Sequence, residues 1–66
     1  MDKRSEAFLD AVGAARSLLG FTMQELADNC NTSKSNIHAL VNKQQEPKLG
    51  LAIKLASTLH LSLDNY

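Results

Sequence analysis

Apolar positions recur every three or four residues along nearly the whole chain, and the alternation expected of a half-buried strand is absent. Phe8, Val12, Ala15 and Leu19 stand four, three and four residues apart, which predicts one buried face of a helix over roughly residues 4–19. Gly20 follows where a helix leaves through the left-handed region, which glycine enters without steric penalty. Thr22 and Glu25 then have the spacing of a capping box, with Phe21 and Leu26 placed to staple the chain's entry into a second helix. That helix carries Met23, Leu26, Ala27 and Cys30 on its apolar side. It ends early, at Asn29-Cys30-Asn31, because asparagine is one of the few other residues that accept left-handed backbone.

Thr32-Ser33 offers the next N-cap, and a third helix is expected from Lys34 to about Asn42, with Ile37, Leu40 and Val41 buried. Lys43-Gln44-Gln45-Glu46 is a polar loop, closed by Pro47, which disfavours helix at the residue before it. Leu49, Ala52, Ile53, Ala56 and Leu59 have helical spacing and predict the apolar stripe of a fourth helix, which His60 caps and Leu61 leaves. Ser62 to Tyr66 reads as the capped first turn of a fifth. The expected fold is all-α, a compact bundle of four to five short helices in one domain over residues 1–66.

Composition narrows the classes. A chain of 66 residues buries only about 60% of its unfolded surface, so the core has to be economical. Cys30 has no partner for an internal disulfide, and Cys30, His38 and His60 do not have the paired spacing of a structural zinc site. The chain opens Met-Asp-Lys-Arg-Ser-Glu with no apolar run behind it, and no stretch is long and apolar enough for a membrane span. A cytoplasmic location and no membrane partner are therefore expected, and the starting Met and compact end suggest a complete small protein. Gly13, Gly20 and Gly50 make no phosphate-binding loop, and no nucleophile–base set or carboxylate pair is evident, so no enzyme, cofactor, metal or small-molecule ligand is expected.

Charge changes the picture more than its zero total implies. Lys3, Arg4 and Arg16 face Asp2, Glu6, Asp10, Glu25 and Asp28 in the first thirty residues, an acidic half. Lys34, Lys43, Lys48 and Lys54 face only Glu46 and Asp64 in the remainder; between Asn31 and Lys54 there are four lysines and one acid, so a polyanion, if one binds, binds there. The aromatic residues are only Phe8, Phe21 and Tyr66, which argues against a stacking platform for single strands.

Two short helices joined by a tight turn around Asn31 form a helix-turn-helix candidate, with small Ala27 at the crossing. The outer face of the third helix keeps Lys34, Ser35, Asn36, His38, Ala39 and Asn42, a hydrogen-bonding surface without an acid. Such a face suits a DNA major groove, where lysine donates to guanine and asparagine pairs with adenine. Asn42, Lys43, Gln44 and Gln45, just beyond it, are placed to donate to phosphate oxygens, contacts that set register without reading sequence.

From Phe21 to Tyr66 the chain resembles the lambdoid phage repressor/Cro-type (XRE-like) helix-turn-helix family. The resemblance lies in Thr22…Glu25-Leu26-Ala27, Ser33-Lys34-Ser35-Asn36-Ile37, Asn42, Pro47, Leu49, Leu55-Ala56 and Leu61-Ser62-Leu63-Asp64. It implies a five-helix domain with the third helix in the major groove of double-stranded DNA, bound as a homodimer to a near-palindromic operator. It further implies base contacts from Ser33, Lys34, Ser35, Asn36 and Ala39, and a backbone contact at the start of the second helix, at Thr22 and Met23. Three positions depart from the family pattern: Met23 stands where glutamine is common, Asn31 where glycine is usual, and Thr32 where an apolar residue is frequent.

Leu61, Leu63 and Tyr66 concentrate apolar surface near the C-terminus, and a dimer interface is expected there. The functional expectation is a sequence-specific, double-stranded-DNA-binding transcriptional regulator, a repressor of phage or mobile-element type. The alternative is a protein-interaction module such as an antitoxin or anti-repressor component, favoured by the zero net charge and by Met23. As structural readings, Cys30 is a small core residue, His38 a neutral surface contact, and Asn31-Thr32-Ser33 a chance glycosylation sequon.

Overall fold

Two of the helices start at side-chain caps, and every helix stops at a residue with left-handed backbone. In the structure, a computed structural model, residues 3–63 are described. They form four helices: α1 (Lys3–Leu19), α2 (Met23–Asn29), α3 (Lys34–Val41) and α4 (Leu49–Leu59). Among the described residues there is no strand. Of the expected fifth helix, Ser62 to Tyr66, only Ser62 and Leu63 are described, and Tyr66 of the expected dimer interface lies outside the described residues.

All four helices end in the same way. Gly20, Asn31, Lys43 and His60 have φ of 78°, 59°, 61° and 58°. At each one the next residue's N–H reaches back five residues to a carbonyl, from Phe21 to Arg16, Thr32 to Ala27, Gln44 to Ala39 and Leu61 to Ala56, at 2.8 to 3.0 Å. The left-handed residue itself donates three residues back, which completes a Schellman motif and satisfies carbonyls the helix would otherwise leave bare. The stops expected at Gly20 and Asn31 are observed, and His60 caps α4 as expected. Lys43 is expected from the sequence as a loop residue and phosphate donor, with no left-handed turn. A four-carbon side chain gives no local signal for left-handed backbone, so that turn is set by its hydrogen bonds.

The core is apolar: among the described residues no polar or charged side chain is buried. Phe8, Leu9 and Val12 of α1, Leu26, Ala27 and Cys30 from α2 and its end, Ile37 and Leu40 of α3, and Ala52, Leu55, Ala56 and Leu59 of α4 form one cluster. Two expected stripes are rotated. Leu9 is buried in α1, whereas Leu19 is half exposed. In α4, Leu55 is fully buried while Leu49 is 75% and Ile53 50% exposed. The segment from Leu49 to Ala56 is so rich in apolar residues that more than one helical stripe fits it, and periodicity cannot choose between them. The choice is made by α1 and α2, against which α4 packs.

One detail fixes the entry to the site. Arg16 Nη1 donates to the Phe21 carbonyl at 2.7 Å and ties the end of α1 to the approach of α2. Gly13 of α1 faces Val41 at the end of α3, where a Cβ would stand 3.7 Å from Val41 Cγ1, an ordinary contact distance, so this packing does not require a glycine.

Candidate nucleic-acid interface

The α2–turn–α3 unit is held by reciprocal caps. Thr22 Oγ1 accepts from the Glu25 N–H at 3.0 Å, and Glu25 Oε1 accepts from the Thr22 N–H at 2.9 Å, so the expected capping box is complete. Thr22 Oγ1 serves there as acceptor, which leaves its hydroxyl hydrogen able to donate. Met23 is half-buried and packed on the core, and its thioether carries no donor; what that position offers an anion is backbone N–H. Gln24 Nε2 donates to Asp28 Oδ1 at 2.9 Å along the exposed side of α2.

Asn31 turns the chain, and Ser33 caps α3 by accepting from the Asn36 N–H at 3.1 Å. The buried side of α3 is Ile37 and Leu40, with Val41 half-buried, which leaves Lys34, Ser35 and His38 exposed and Ala39 half-buried. No acid lies in the first turn of α3. Asn42 is exposed, with its amide nitrogen 3.1 Å from His38 Nδ1.

Asn36 stands apart from its neighbours. It is half-buried, its amide nitrogen donates to Thr32 Oγ1 at 2.8 Å, and its amide oxygen accepts from Gln45 Nε2. The first turn of α3 is thereby linked to the loop that follows it. The structure thus places Ser33, Lys34 and Ser35 on one exposed edge, turns Asn36 toward that loop, and sets exposed Asn42, Lys43, Gln44 and Gln45 in sequence beyond the helix. Leu61 packs on the core while Leu63 is 37% exposed.

The basic half of the chain divides further. Lys43 Nζ lies 2.7 Å from Asp10 Oδ1, the one ion pair within 4 Å among the described residues. That hydrogen bond holds the Lys43 ammonium above its ordinary pKa. Lys34, Lys48 and Lys54 have no such partner there. Lys48 and Lys54 line an open groove of about 420 Å³ together with Asn31, Thr32, Asn36 and Gly50, and no carboxylate lines it. Cys30 closes the groove floor, its thiol pushed up in pKa by burial despite Lys54 and a contact with Thr58 Oγ1 at 3.9 Å.

Sequence reasoning missed this pairing of Lys48 with Lys54 beside the turn. Their signal was only the lysine excess between Asn31 and Lys54. It also missed Asp10, a residue of the acidic half that folds back onto the basic one. Among the described residues no cluster of His, Cys, Asp and Glu could hold a metal, and no helix is long and apolar enough to cross a membrane.

A helix-turn-helix family model matches residues 12–65, from the middle of α1 to beyond α4. No curated protein and no solved structure matches the chain.

Proposed function

The chain belongs to the helix-turn-helix family of DNA-binding transcription regulators, of the Cro/C1 (XRE-like) type, and from that premise we propose that it is a repressor which binds a near-palindromic operator as a homodimer. The observation that carries the proposal is the exposed, acid-free edge Ser33-Lys34-Ser35 at the start of α3, presented by a fully capped helix-turn-helix. Lys34, with no ion-pair partner among the described residues, supplies the strongest base donor, directed at guanine O6 and N7. Ser35 adds a hydroxyl and Ala39 a methyl for thymine, while Asn36, engaged with Thr32 and Gln45, holds the loop that carries the phosphate donors.

Phosphates are met by the Thr22 hydroxyl, the Met23 N–H, Asn42, Gln44 and Gln45, with Lys48 and Lys54 as further donors from the groove beside the turn. Lys43 joins them only after parting from Asp10. So few contacts give a single copy weak affinity. A dimer through Leu61, Leu63 and Tyr66 doubles them, and the second half-site is bound at the effective concentration set by the first. Half-sites about 10 bp apart are the general spacing for dimers of this class. Repression follows by occlusion of polymerase.

Selection of bound duplexes from a randomised pool at two salt concentrations tests the reading. The expected result is an inverted repeat with half-sites one helical turn apart, bound more weakly at higher salt, with a log–log slope of about 0.9 per phosphate neutralised. A pool that stays unenriched at low salt, with the protein monomeric, would sink it and leave the protein-interaction module, an antitoxin or anti-repressor component.

A further inference from the structure

Among the described residues, Lys43 is the only one of the four lysines in the basic half with a carboxylate within ion-pair distance. The pair is not part of the core: the Lys43 and Asp10 side chains are 38% and 65% exposed. Exposed ion pairs of this kind contribute little to folding stability. Yet the backbone around Lys43 is firmly placed. Its N–H donates to the Leu40 carbonyl at 3.0 Å and the Gln44 N–H to Ala39 at 2.8 Å, so the root of the side chain is fixed relative to α3.

Asp10 is equally well placed, because α1 packs directly against α3. Glu6, one helical turn before Asp10, adds its negative field at the same ammonium. A carboxylate oxygen therefore occupies, immediately after the helix proposed to read DNA, the position that a phosphate oxygen would take on Lys43.

We propose that Asp10 competes with DNA phosphate for Lys43 and so sets the strength of DNA binding. This deepens, and rests on, the reading of the chain as a DNA-binding regulator. A phosphate approaching Lys43 displaces Asp10 and then lies beside a like charge, so the attraction of the lysine is largely offset. Asp10 is a positioning residue: it acts on DNA through Lys43. Among the described residues, Lys34, Lys48 and Lys54 carry no such restraint.

The test titrates labelled duplex of mixed sequence across a salt series with four proteins: wild type, Asp10→Asn, Lys43→Gln and the double variant. Circular dichroism checks that each is folded. Asp10→Asn is expected to bind about three- to tenfold tighter at low salt, with a salt slope steeper by up to about 0.9, the value of one added phosphate contact. In the Lys43→Gln background the same substitution is expected to change neither quantity.

Three outcomes overturn the proposal while the DNA-binding reading stands: wild type and Asp10→Asn bind alike, Asp10→Asn binds more weakly, or its gain persists without Lys43 and reports only net charge. If folded wild-type protein binds no duplex at any salt, the DNA-binding reading falls and this inference falls with it.

Discussion

The Asn36 side-chain amide donates to Thr32 Oγ1 at 2.8 Å, and through its oxygen it also holds Gln45. A residue whose sequence position suggests a base reader is thus already engaged with its own protein. The turn before α3 and the loop after it are bound to one another across the helix's first turn.

Asn36 and Lys34 should therefore fail differently when truncated. Asn36→Ala is expected to weaken binding by a similar factor on every operator variant, because it releases the loop that carries the phosphate donors. Lys34→Ala is expected to cost about 1–3 kcal/mol on the preferred sequence and to relax discrimination at one base pair. Binding both variants to a panel of single-base operator substitutions separates them. If Asn36→Ala relaxed one base pair only, Asn36 would be a base reader and its bonds to Thr32 and Gln45 would be those of the free protein alone.

The rotated stripe of α4 makes a stability prediction. Leu55 is fully buried and Ile53 half exposed. Leu55→Ala is expected to cost about 2–5 kcal/mol, enough to unfold much of a domain this small. Ile53→Ala should cost well under half of that. Urea unfolding of the two variants decides the matter, and equal losses would contradict the placement of α4 on α1 and α2.

His60 offers the opposite change. It closes α4 at φ 58°, where any residue with a Cβ is strained, and its side chain is exposed. His60→Gly is expected to raise stability by about 1 kcal/mol, seen as a higher Tm. A lower Tm would show that the imidazole makes a contribution larger than the backbone strain.

The pH dependence has a defined sign. Burial raises the pKa of the Cys30 thiol, and the bond to Asp10 raises that of Lys43. A group with a raised folded pKa contributes stability that is complete below its unfolded pKa and is lost as pH rises through the folded one. The loss from Cys30 therefore begins near the ordinary thiol range, about pH 8.5, while Lys43, whose ion pair is exposed, adds little to it above about pH 10.4. Urea midpoints measured from neutral pH to pH 11 should fall on the alkaline side in wild type. In Cys30→Ala the first part of that fall should disappear, whatever the variant's stability at neutral pH; an unchanged profile would remove Cys30 as its source.

Much was written in local chemistry. The capping box of Thr22 and Glu25, the Ser33 cap, the glycine and asparagine turns at Gly20 and Asn31, and the buried set Leu26, Ala27, Ile37 and Leu40 each depend on residues within a few positions of one another. Such features are decided by sterics and hydrogen bonding within a single turn, so spacing alone reveals them. The helix-turn-helix and the exposed edge of α3 follow from them.

What only the tertiary structure decided involves partners distant in sequence. Which stripe of α4 faces inward depended on α1 and α2, since its apolar residues allow more than one. Lys43 took a left-handed turn that its residue type does not announce. Asp10 met Lys43, Lys48 came to share a groove with Lys54, and Asn36 turned from the exposed edge to the loop. Periodicity records how residues are spaced along one helix. It carries no information about the rotation of that helix against its neighbours, and it is that rotation that chooses which charges meet.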